Sequence, residues 1–343
     1  NPVPGAQCPV PSAQFWLVTF AQLQAFSSVA RLGSVKAAAR SLGVSEPAVS
    51  SAIAALRRDL GDELFVRAGG GLSLTPGGAR LASSAAELLG LADRARRSVT
   101  EAQGAASLLR VAVTPAVAEY VAPPLLDTFT RRVPSTEVSV QVEPSGSFAG
   151  LLQDHLADVA LGPRLAAMDS VPFLRYRLVV VAAPRHRLAG LREISPASLA
   201  GETWLVGPSG AEPGTAAADF FERHRLAPER VRAFPTYAAA GAAAAQGAGV
   251  MLAIAHTVLS DLRRGTLARL DVRGTPVERL WHASTLGTER RSQAAWSLLR
   301  FVTTPEATQS MLARAGGVPA GRFRSPVYVT LWSSHLRNQE VDA

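Results

Sequence analysis

Two short helical segments joined by a turn of a few residues stand near the start of the sequence. Ser34 is a suitable N-cap for a helix over 35–42. Ser45 precedes a second helix with Pro47 in its first turn, where the missing N–H leaves no hydrogen bond unmade. With Gly43 in the turn, the pattern predicts a helix-turn-helix, whose second helix can enter a DNA major groove about 12 Å wide. A plain helical hairpin has the same spacing and is the alternative.

The segments on either side extend this pattern. An amphipathic helix is predicted over 20–32, in front of the pair. Behind it, an apolar run ending at Arg67, a flexible tip over 68–71 and a return over 72–75 predict a β-hairpin wing. A long helix then begins at Pro76. We expect the wing to hold Arg67 near a phosphate of bound DNA, which favours the helix-turn-helix over the plain hairpin.

Three runs in this region match one known family. The runs from Ser34 to Ser50, from Leu64 to Arg67 and from Leu74 to Gly78 resemble the winged helix-turn-helix of LysR-type transcriptional regulators. The match is close over 19–89 and continues loosely to residue 313. The resemblance implies an α/β chain with an N-terminal winged helix-turn-helix, a long linker helix and a C-terminal two-lobe α/β effector domain that looks like periplasmic binding proteins.

These features divide the chain into successive parts. The predicted limits are a disordered or mis-assigned extension over 1–17, the DNA-binding domain over 18–75, the linker and dimerisation helix over 76–104, the effector-binding domain over 105–320 and a tail of unknown role over 321–343. The boundary near Gly104 lies where helical periodicity gives way to alternating strands and helices.

The candidate DNA contacts lie on the predicted helices and the wing. They are Arg31, Ser34, Lys36, Arg40, Ser45, Glu46, Pro47, Ser50, Ser51 and Arg67. The net charge of the whole chain is +8, but residues 18–103 hold ten cations against seven anions, so phosphate affinity must come from placement. Arg31, Lys36, Arg40 and Arg67 are the phosphate candidates, and each has the alternative of an ordinary solvated cation.

Glu46 departs from the family, which usually has glutamine at the start of the recognition helix. A carboxylate there gains from the helix dipole and can accept from a cytosine amine, but it repels phosphate. Ser51 and Ala52 are short where long polar side chains are common, and there is no second wing cation near Gly70. We therefore expect weak base discrimination, with more reliance on DNA shape and half-site spacing.

The long helix after Pro76 has a narrow apolar seam at alternating four- and three-residue steps. Its members are Leu81, Ala85, Leu88, Ala92, Ala95 and Val99. If this helix associated with its copy in a second chain, two DNA-binding domains would reach the two half-sites of a palindrome. The alternative is a helix packed on its own domain. The resemblance implies a homodimer or a tetramer built as a dimer of dimers.

Strand-like runs alternate with helices after residue 107 and predict a parallel or mixed sheet. One lobe is predicted over 108–170 and a second to about residue 270, after which the chain returns to the first. Ligands of such folds bind in the crevice between the lobes, at strand and helix ends. The candidate effector contacts are Thr114, Pro115, Ser145, Ser147, Gly162, Pro208, Ser209 and Thr236, and each has the alternative of plain N-cap duty.

Catalytic, metal and membrane functions find no supporting motif. The single cysteine, Cys8, excludes an intramolecular disulfide, and no two of the six histidines have H-x-x-x-H spacing. His155 is expected on a solvated helix face. The uncharged stretch 233–260 predicts a helix and a buried strand in place of a membrane span. We therefore expect neither an enzyme nor a cofactor.

These observations predict a cytoplasmic, sequence-specific transcriptional regulator that responds to a small-molecule effector. Its expected partners are double-stranded DNA with palindromic promoter sites, the effector, a second copy of the chain and RNA polymerase. Two alternatives belong to other classes. One is a nucleoid-type DNA-binding protein without a ligand response, and the other is an enzyme fused to a DNA-binding head.

Overall fold

The computed structural model of the protein describes residues 18–68, 71–103, 106–166 and 168–313. The predicted extension over 1–17 and the tail over 321–343 lie outside the described residues. The chain forms two compact units, divided between Arg96 and Arg97. Among the helices of the described segments, none combines the length and the apolar character needed to cross a membrane.

The first unit is a three-helix head with a two-stranded wing and most of a long helix. Its elements are α1 (Phe20–Leu32), α2 (Val35–Leu42), α3 (Glu46–Leu60), β1 (Phe65–Ala68), β2 (Gly71–Leu74) and α4 (Pro76–Ala102). Ser34 and Ser45 each accept an amide hydrogen bond of 3.3 Å at a helix start. Gly43 ends α2 with a φ of 67°, a left-handed conformation that glycine adopts without strain. The predicted helix-turn-helix and wing are confirmed.

A small apolar core holds the three helices and the wing together. Phe26 of α1 is fully buried and lies with its ring centroid 5.1 Å from that of Phe65 on β1. Val49, Ile53 and Leu56 bury one side of α3 in the same core. This packing fixes α3 by its apolar side and turns its other side outward, which is the orientation a reading helix needs.

Asp62 joins the wing to the helices before and after it. Its Oδ1 accepts hydrogen bonds of 2.7 Å from the Leu64 amide and from the Thr75 hydroxyl. The Thr75 oxygen in turn accepts from the Gly78 amide at 2.8 Å, which caps α4. The Thr75 hydroxyl and the Leu64 amide hold the pKa of Asp62 below its usual value. A Cβ on Gly78 would lie 2.1 Å from the Leu64 carbonyl oxygen, so this junction requires glycine.

The second unit is an α/β domain built on one mixed sheet. Its helices are α5 (Pro115–Tyr120), α6 (Ala122–Arg132), α7 (Phe148–Gln153), α8 (Ala216–Arg223), α9 (Tyr237–Ala245), α10 (Leu259–Arg264), α11 (Gln293–Val302) and α12 (Pro305–Ala313). Its strands are β3 (Ser107–Val113), β4 (Thr136–Val142), β5 (Val159–Gly162), β6 (Asp169–Ala182), β7 (Thr203–Val206), β8 (Arg230–Ala233), β9 (Val250–Ile254), β10 (Ala268–Leu270) and β11 (Val277–Thr285). The sheet has the order β4-β3-β5-β11-β6-β9-β7-β8, with β10 paired to β6.

Two lobes share this sheet. Parallel strands β3, β4 and β5 form lobe 1, and parallel strands β7, β8 and β9 form lobe 2. Between them run the long antiparallel strands β6 and β11. The chain then returns to lobe 1, where the rings of Phe129 and Phe301 lie 5.6 Å apart and Arg132 pairs with Glu306 at 2.7 Å. The predicted two-lobe order and the return to the first lobe are confirmed.

Several details differ from the sequence predictions. Strand β6 begins at Asp169, nine residues before the apolar run 178–182 from which a strand is predicted, and the apolar runs do not predict β8, β10 and β11. Strand β8 is exposed along its whole length and β11 alternates apolar with charged residues, so neither has a continuous apolar run. The prediction for His155 was wrong, because its side chain is buried and its backbone has a φ of 53°.

Candidate functional site

The outward side of α3 carries the predicted base-reading residues. Ser45, Glu46, Pro47, Ser50 and Ser51 are all exposed. They surround the buried Val49, which faces the core. The surface that α3 offers to a groove therefore has one carboxylate and short hydroxyls. Such a surface offers few groups for hydrogen bonds to base edges, and weak direct readout stays a prediction.

The four predicted phosphate contacts lie on three other elements of the head. Arg31 lies in the last turn of α1, Lys36 and Arg40 on α2, and Arg67 on β1. All four are exposed, and none forms an ion pair with another described residue. Arg57, in contrast, pairs with Glu63 at 3.5 Å. Ser34 is half-buried and its hydroxyl oxygen accepts the capping hydrogen bond of α2, so its predicted N-cap role is confirmed.

The seam of α4 divides into two parts. Leu81 is half-buried and Ala85 fully buried against the head, so they pack on their own domain. Farther along, Leu88 is 47% and Val99 59% exposed, and Ala95 is exposed as well. Only this second part, with Ala92, offers apolar surface that a second copy of the chain can cover.

An aromatic-walled cavity lies between the lobes of the second unit. Tyr120 at the end of α5 faces Tyr237 at the start of α9, with ring centroids 6.2 Å apart. Tyr176 of β6 stacks on Trp281 of β11 at 4.1 Å. These four side chains line a cavity of about 50 Å³, floored by apolar residues such as Met251.

The tyrosine hydroxyls of this cavity stay protonated at neutral pH. Burial raises the pKa of Tyr176 to about 12. Burial, reinforced by the nearby Glu119 carboxylate, raises the pKa of Tyr120 and of Tyr237 above the usual value. The cavity thus combines flat apolar walls with neutral hydroxyl groups that can donate or accept hydrogen bonds.

Two wider pockets adjoin the narrow cavity. One, of about 760 Å³, shares Tyr120 and Tyr237 with it and also includes Arg185. The other, of about 800 Å³, shares Tyr176 and is lined by residues of both lobes and of the crossing strands. Its polar members are Ser145, Arg164, Arg175, Asp219, Glu278, Arg279 and His282. Arg279 pairs with Asp219 at 3.1 Å, whereas Arg164 forms no ion pair with another described residue.

The predicted effector contacts are only partly brought together. Ser145 lines the wider pocket between the lobes. Pro208 and Ser209 lie in a turn whose flanking glycines, Gly207 and Gly210, line the narrow cavity. Thr114, Pro115, Ser147, Gly162 and Thr236 line none of these three cavities. Helix starts and strand ends were the only sequence signals for this site, so they did not predict Tyr120, Tyr176, Tyr237 and Trp281.

Two of these positions have structural duties. The Thr236 hydroxyl oxygen accepts a hydrogen bond of 3.0 Å from the Ala239 amide and so caps the N-terminus of α9. Gly162 is buried, and a Cβ there would lie 2.8 Å from the Phe148 ring. No cluster of three or more metal-binding side chains occurs within the described residues.

A buried carboxylate ties the end of α4 to the sheet of the second unit. Asp158, whose side chain is 9% exposed, accepts the Arg110 amide at 2.8 Å and the Arg110 Nε at 3.4 Å. Its other oxygen lies 3.9 Å from Arg97 near the end of α4. The end of α4 from Arg97 onward, which belongs to the second unit, is thus attached to β3 and to the start of β5.

Comparison with known proteins agrees with both halves of this description. The family description "Bacterial regulatory helix-turn-helix protein, lysR family" matches residues 20–79, and "LysR substrate binding domain" matches residues 102–305. An uncharacterised HTH-type transcriptional regulator of Mycobacterium tuberculosis is 39% identical over 325 residues, covering 92% of this chain and 100% of the relative. The HTH-type transcriptional regulator CfxR of Cupriavidus necator is 33% identical over 312 residues, covering 89% and 97%.

Solved structures share the fold. Full-length CbnR, crystallised with its target DNA, has a TM-score of 0.56 and 24% identity, covering 83% of this chain and 98% of that one. A full-length OxyR variant from Pseudomonas aeruginosa has a TM-score of 0.58 and 18% identity, covering 83% and 94%. The family and the sequence relatives are transcriptional regulators, so the chain is a DNA-binding regulator and not an enzyme. It belongs to the LysR family of bacterial helix-turn-helix transcriptional regulators.

Proposed function

We propose that this regulator reads palindromic promoter sites with α3 and the wing, and that an effector enters between Tyr120, Tyr237, Tyr176 and Trp281. The observation that carries the effector part is the aromatic cavity of about 50 Å³ between two lobes. The wider pocket beside it adds Arg164, Arg279 and Ser145. Flat walls, neutral hydroxyls and nearby guanidinium groups suit a small polar or anionic metabolite with a planar part.

The proposed response to the effector is a conformational change and involves no covalent chemistry. An effector that binds one arrangement of the lobes more tightly shifts the population toward it. The Asp158 network connects the sheet of lobe 1 to the end of α4, so a change in the lobes can reach the linker helix. We propose that the exposed part of the α4 seam joins two copies, as a dimer or a dimer of dimers. Lobe movement then alters DNA bending and the access of RNA polymerase. The cytoplasmic location follows from binding the bacterial chromosome.

Filling the cavity tests the effector part. Ala216 lines both the narrow cavity and the wider pocket, so Ala216→Trp should block the effector while leaving DNA affinity nearly unchanged. Binding to the chain's own upstream region is measured by fluorescence anisotropy, with and without a panel of metabolites. We expect the wild type to respond to at least one compound and the variant to none.

The matched control is Ala197→Trp, at an exposed alanine of the same domain that lines none of the three cavities. An equal response in Ala216→Trp and the control would contradict the assigned cavity. A wild type that binds random DNA as well as its own upstream region, with steep salt dependence, would support a nucleoid-type protein in its place.

Glu46→Gln tests how α3 reads DNA. The exposed Glu46 carboxylate faces away from the core at the start of α3, with no described cation paired to it. If it mainly repels phosphate, the variant should bind every sequence more tightly, by about threefold to tenfold, and by a smaller factor at high salt. Affinity is measured against a library of single base-pair changes in the operator. A loss confined to one base pair would instead mean that Glu46 accepts from a cytosine amine.

A further inference from the structure

Glu119, in the last turn of α5 in lobe 1, reaches across to the start of α9 in lobe 2. Its Oε2 accepts the Tyr237 amide at 2.8 Å and its Oε1 accepts the Ala238 amide at 2.7 Å. The two partners lie 118 and 119 residues away along the chain and belong to lobe 2, so both bonds directly join the two lobes.

The carboxylate completes the cap of α9. Thr236 already accepts the amide of the third helical residue, Ala239, at 3.0 Å. The first two amides of α9 have no hydrogen-bond acceptor within their own helix, and the Glu119 carboxylate accepts a hydrogen bond from each. Two charge-assisted hydrogen bonds at a helix N-terminus, where the dipole favours an anion, form a strong contact between the lobes.

Two residues at this contact, Tyr120 and Tyr237, line the narrow cavity. Tyr120 follows Glu119 directly, and Tyr237 carries one of the amides that Glu119 holds. At the wider pocket the lobes also approach closely, because a Cβ on Gly214 would lie 3.1 Å from the Ser145 hydroxyl. A space of about 50 Å³ is well below the few hundred Å³ of a usual small-molecule pocket. An organic ligand that enters this narrow cavity therefore requires its walls to separate. Where lobe 1 and lobe 2 move apart at Tyr120 and Tyr237, the two bonds of Glu119 break.

We propose that Glu119 is a latch that holds the lobes closed over the narrow cavity, and that it must release α9 before an effector can enter this cavity. This inference rests on the proposed function in taking the cavity as the effector site. The latch raises the effector concentration needed for a response, because the free energy of effector binding must offset the loss of the two Glu119 hydrogen bonds.

The test is hydrogen–deuterium exchange on the full chain, read at the peptide that covers 236–240. In the wild type the Tyr237 and Ala238 amides should exchange slowly. In Glu119→Ala they should exchange at least about tenfold faster, because a charge-assisted hydrogen bond is lost at each. Glu119→Gln keeps one acceptor oxygen and should fall between the two, which provides a milder variant if the alanine variant folds poorly.

Acetate separates a latch from a general loss of structure. It can occupy the space of the missing carboxylate, so acetate should restore slow exchange in Glu119→Ala, whereas chloride at the same ionic strength should not. The matched control is Glu222→Ala, an exposed glutamate of α8 in the same domain. Equal exchange in wild type, Glu119→Ala and control, or fast exchange that acetate leaves unchanged, would overturn the latch. Because exchange needs neither DNA nor effector, this result is independent of whether the proposed function holds.

Discussion

Replacing Lys36 and Arg40 together with alanine is expected to weaken DNA binding by about 100-fold, equally for all sequences. Both cations are exposed on α2, beside the reading helix, and neither has an ion-pair partner within the described part of the chain. They are therefore free to neutralise phosphates without breaking an internal contact. Each phosphate contact contributes about 0.9 to the slope of log K against log salt, so the slope should fall by about 1.8.

The measurement is a salt titration of binding by the full chain, with the operator and with a shuffled sequence. Arg300→Ala is the matched control, since Arg300 is an exposed arginine of α11 without an ion pair to a described residue. Its slope should equal that of the wild type. If the double variant lost affinity only for the operator, these two residues would be base readers and the assignment to phosphates would be wrong.

Replacing Asp158 with alanine is expected to lower the free energy of unfolding of the effector domain by about 2–4 kcal/mol. The side chain is 9% exposed and bonds both the amide and the side chain of Arg110, so its loss leaves a largely buried guanidinium with fewer acceptors. Urea unfolding of the full chain measures this, with tryptophan fluorescence from Trp204 and Trp281 as the signal.

The same variant should also weaken communication between the effector and the DNA-binding head. Arg97 near the end of α4 faces the second oxygen of Asp158, so the attachment of the linker helix loosens when that oxygen is removed. We expect DNA affinity without effector to stay close to wild type and the change on adding effector to shrink. Asp158→Asn keeps an acceptor for the Arg110 amide and should lose less stability. If effector changed the DNA affinity of Asp158→Ala as much as that of the wild type, Asp158 would not transmit the effector signal to the DNA-binding head.

The head was predictable because its signals are local. Ser34 and Ser45 mark helix starts and Gly43 marks a helix end, each through hydrogen bonds or backbone angles that involve neighbours in sequence. The buried stripe of α3 likewise follows from helical spacing alone. The wing followed from two apolar runs around a glycine-rich tip.

The effector cavity was not predictable in the same way. Its walls come from α5, β6, α9 and β11, which are far apart in sequence and meet only through the sheet. Tyr176 and Trp281 lie on strands whose charged neighbours hide the apolar pattern. The phosphate candidates follow from their charge and their place in the sequence. Whether each cation is held in an ion pair depends on the packing of the head, which the sequence does not give.

Lobe 2 is one continuous stretch of chain inserted into lobe 1. It leaves along β6 and returns along β11, and these strands are direct neighbours, with Tyr176 opposite Arg279. Two cuts at adjacent points are therefore enough to remove the whole stretch, and its ends stay within hydrogen-bonding distance of each other. Recombination at these two points would exchange lobe 2, which is half of the effector-binding domain, and leave the DNA-binding head unchanged. A protein engineer can use the same pair of cuts to graft lobe 2 from another family member and so change effector specificity.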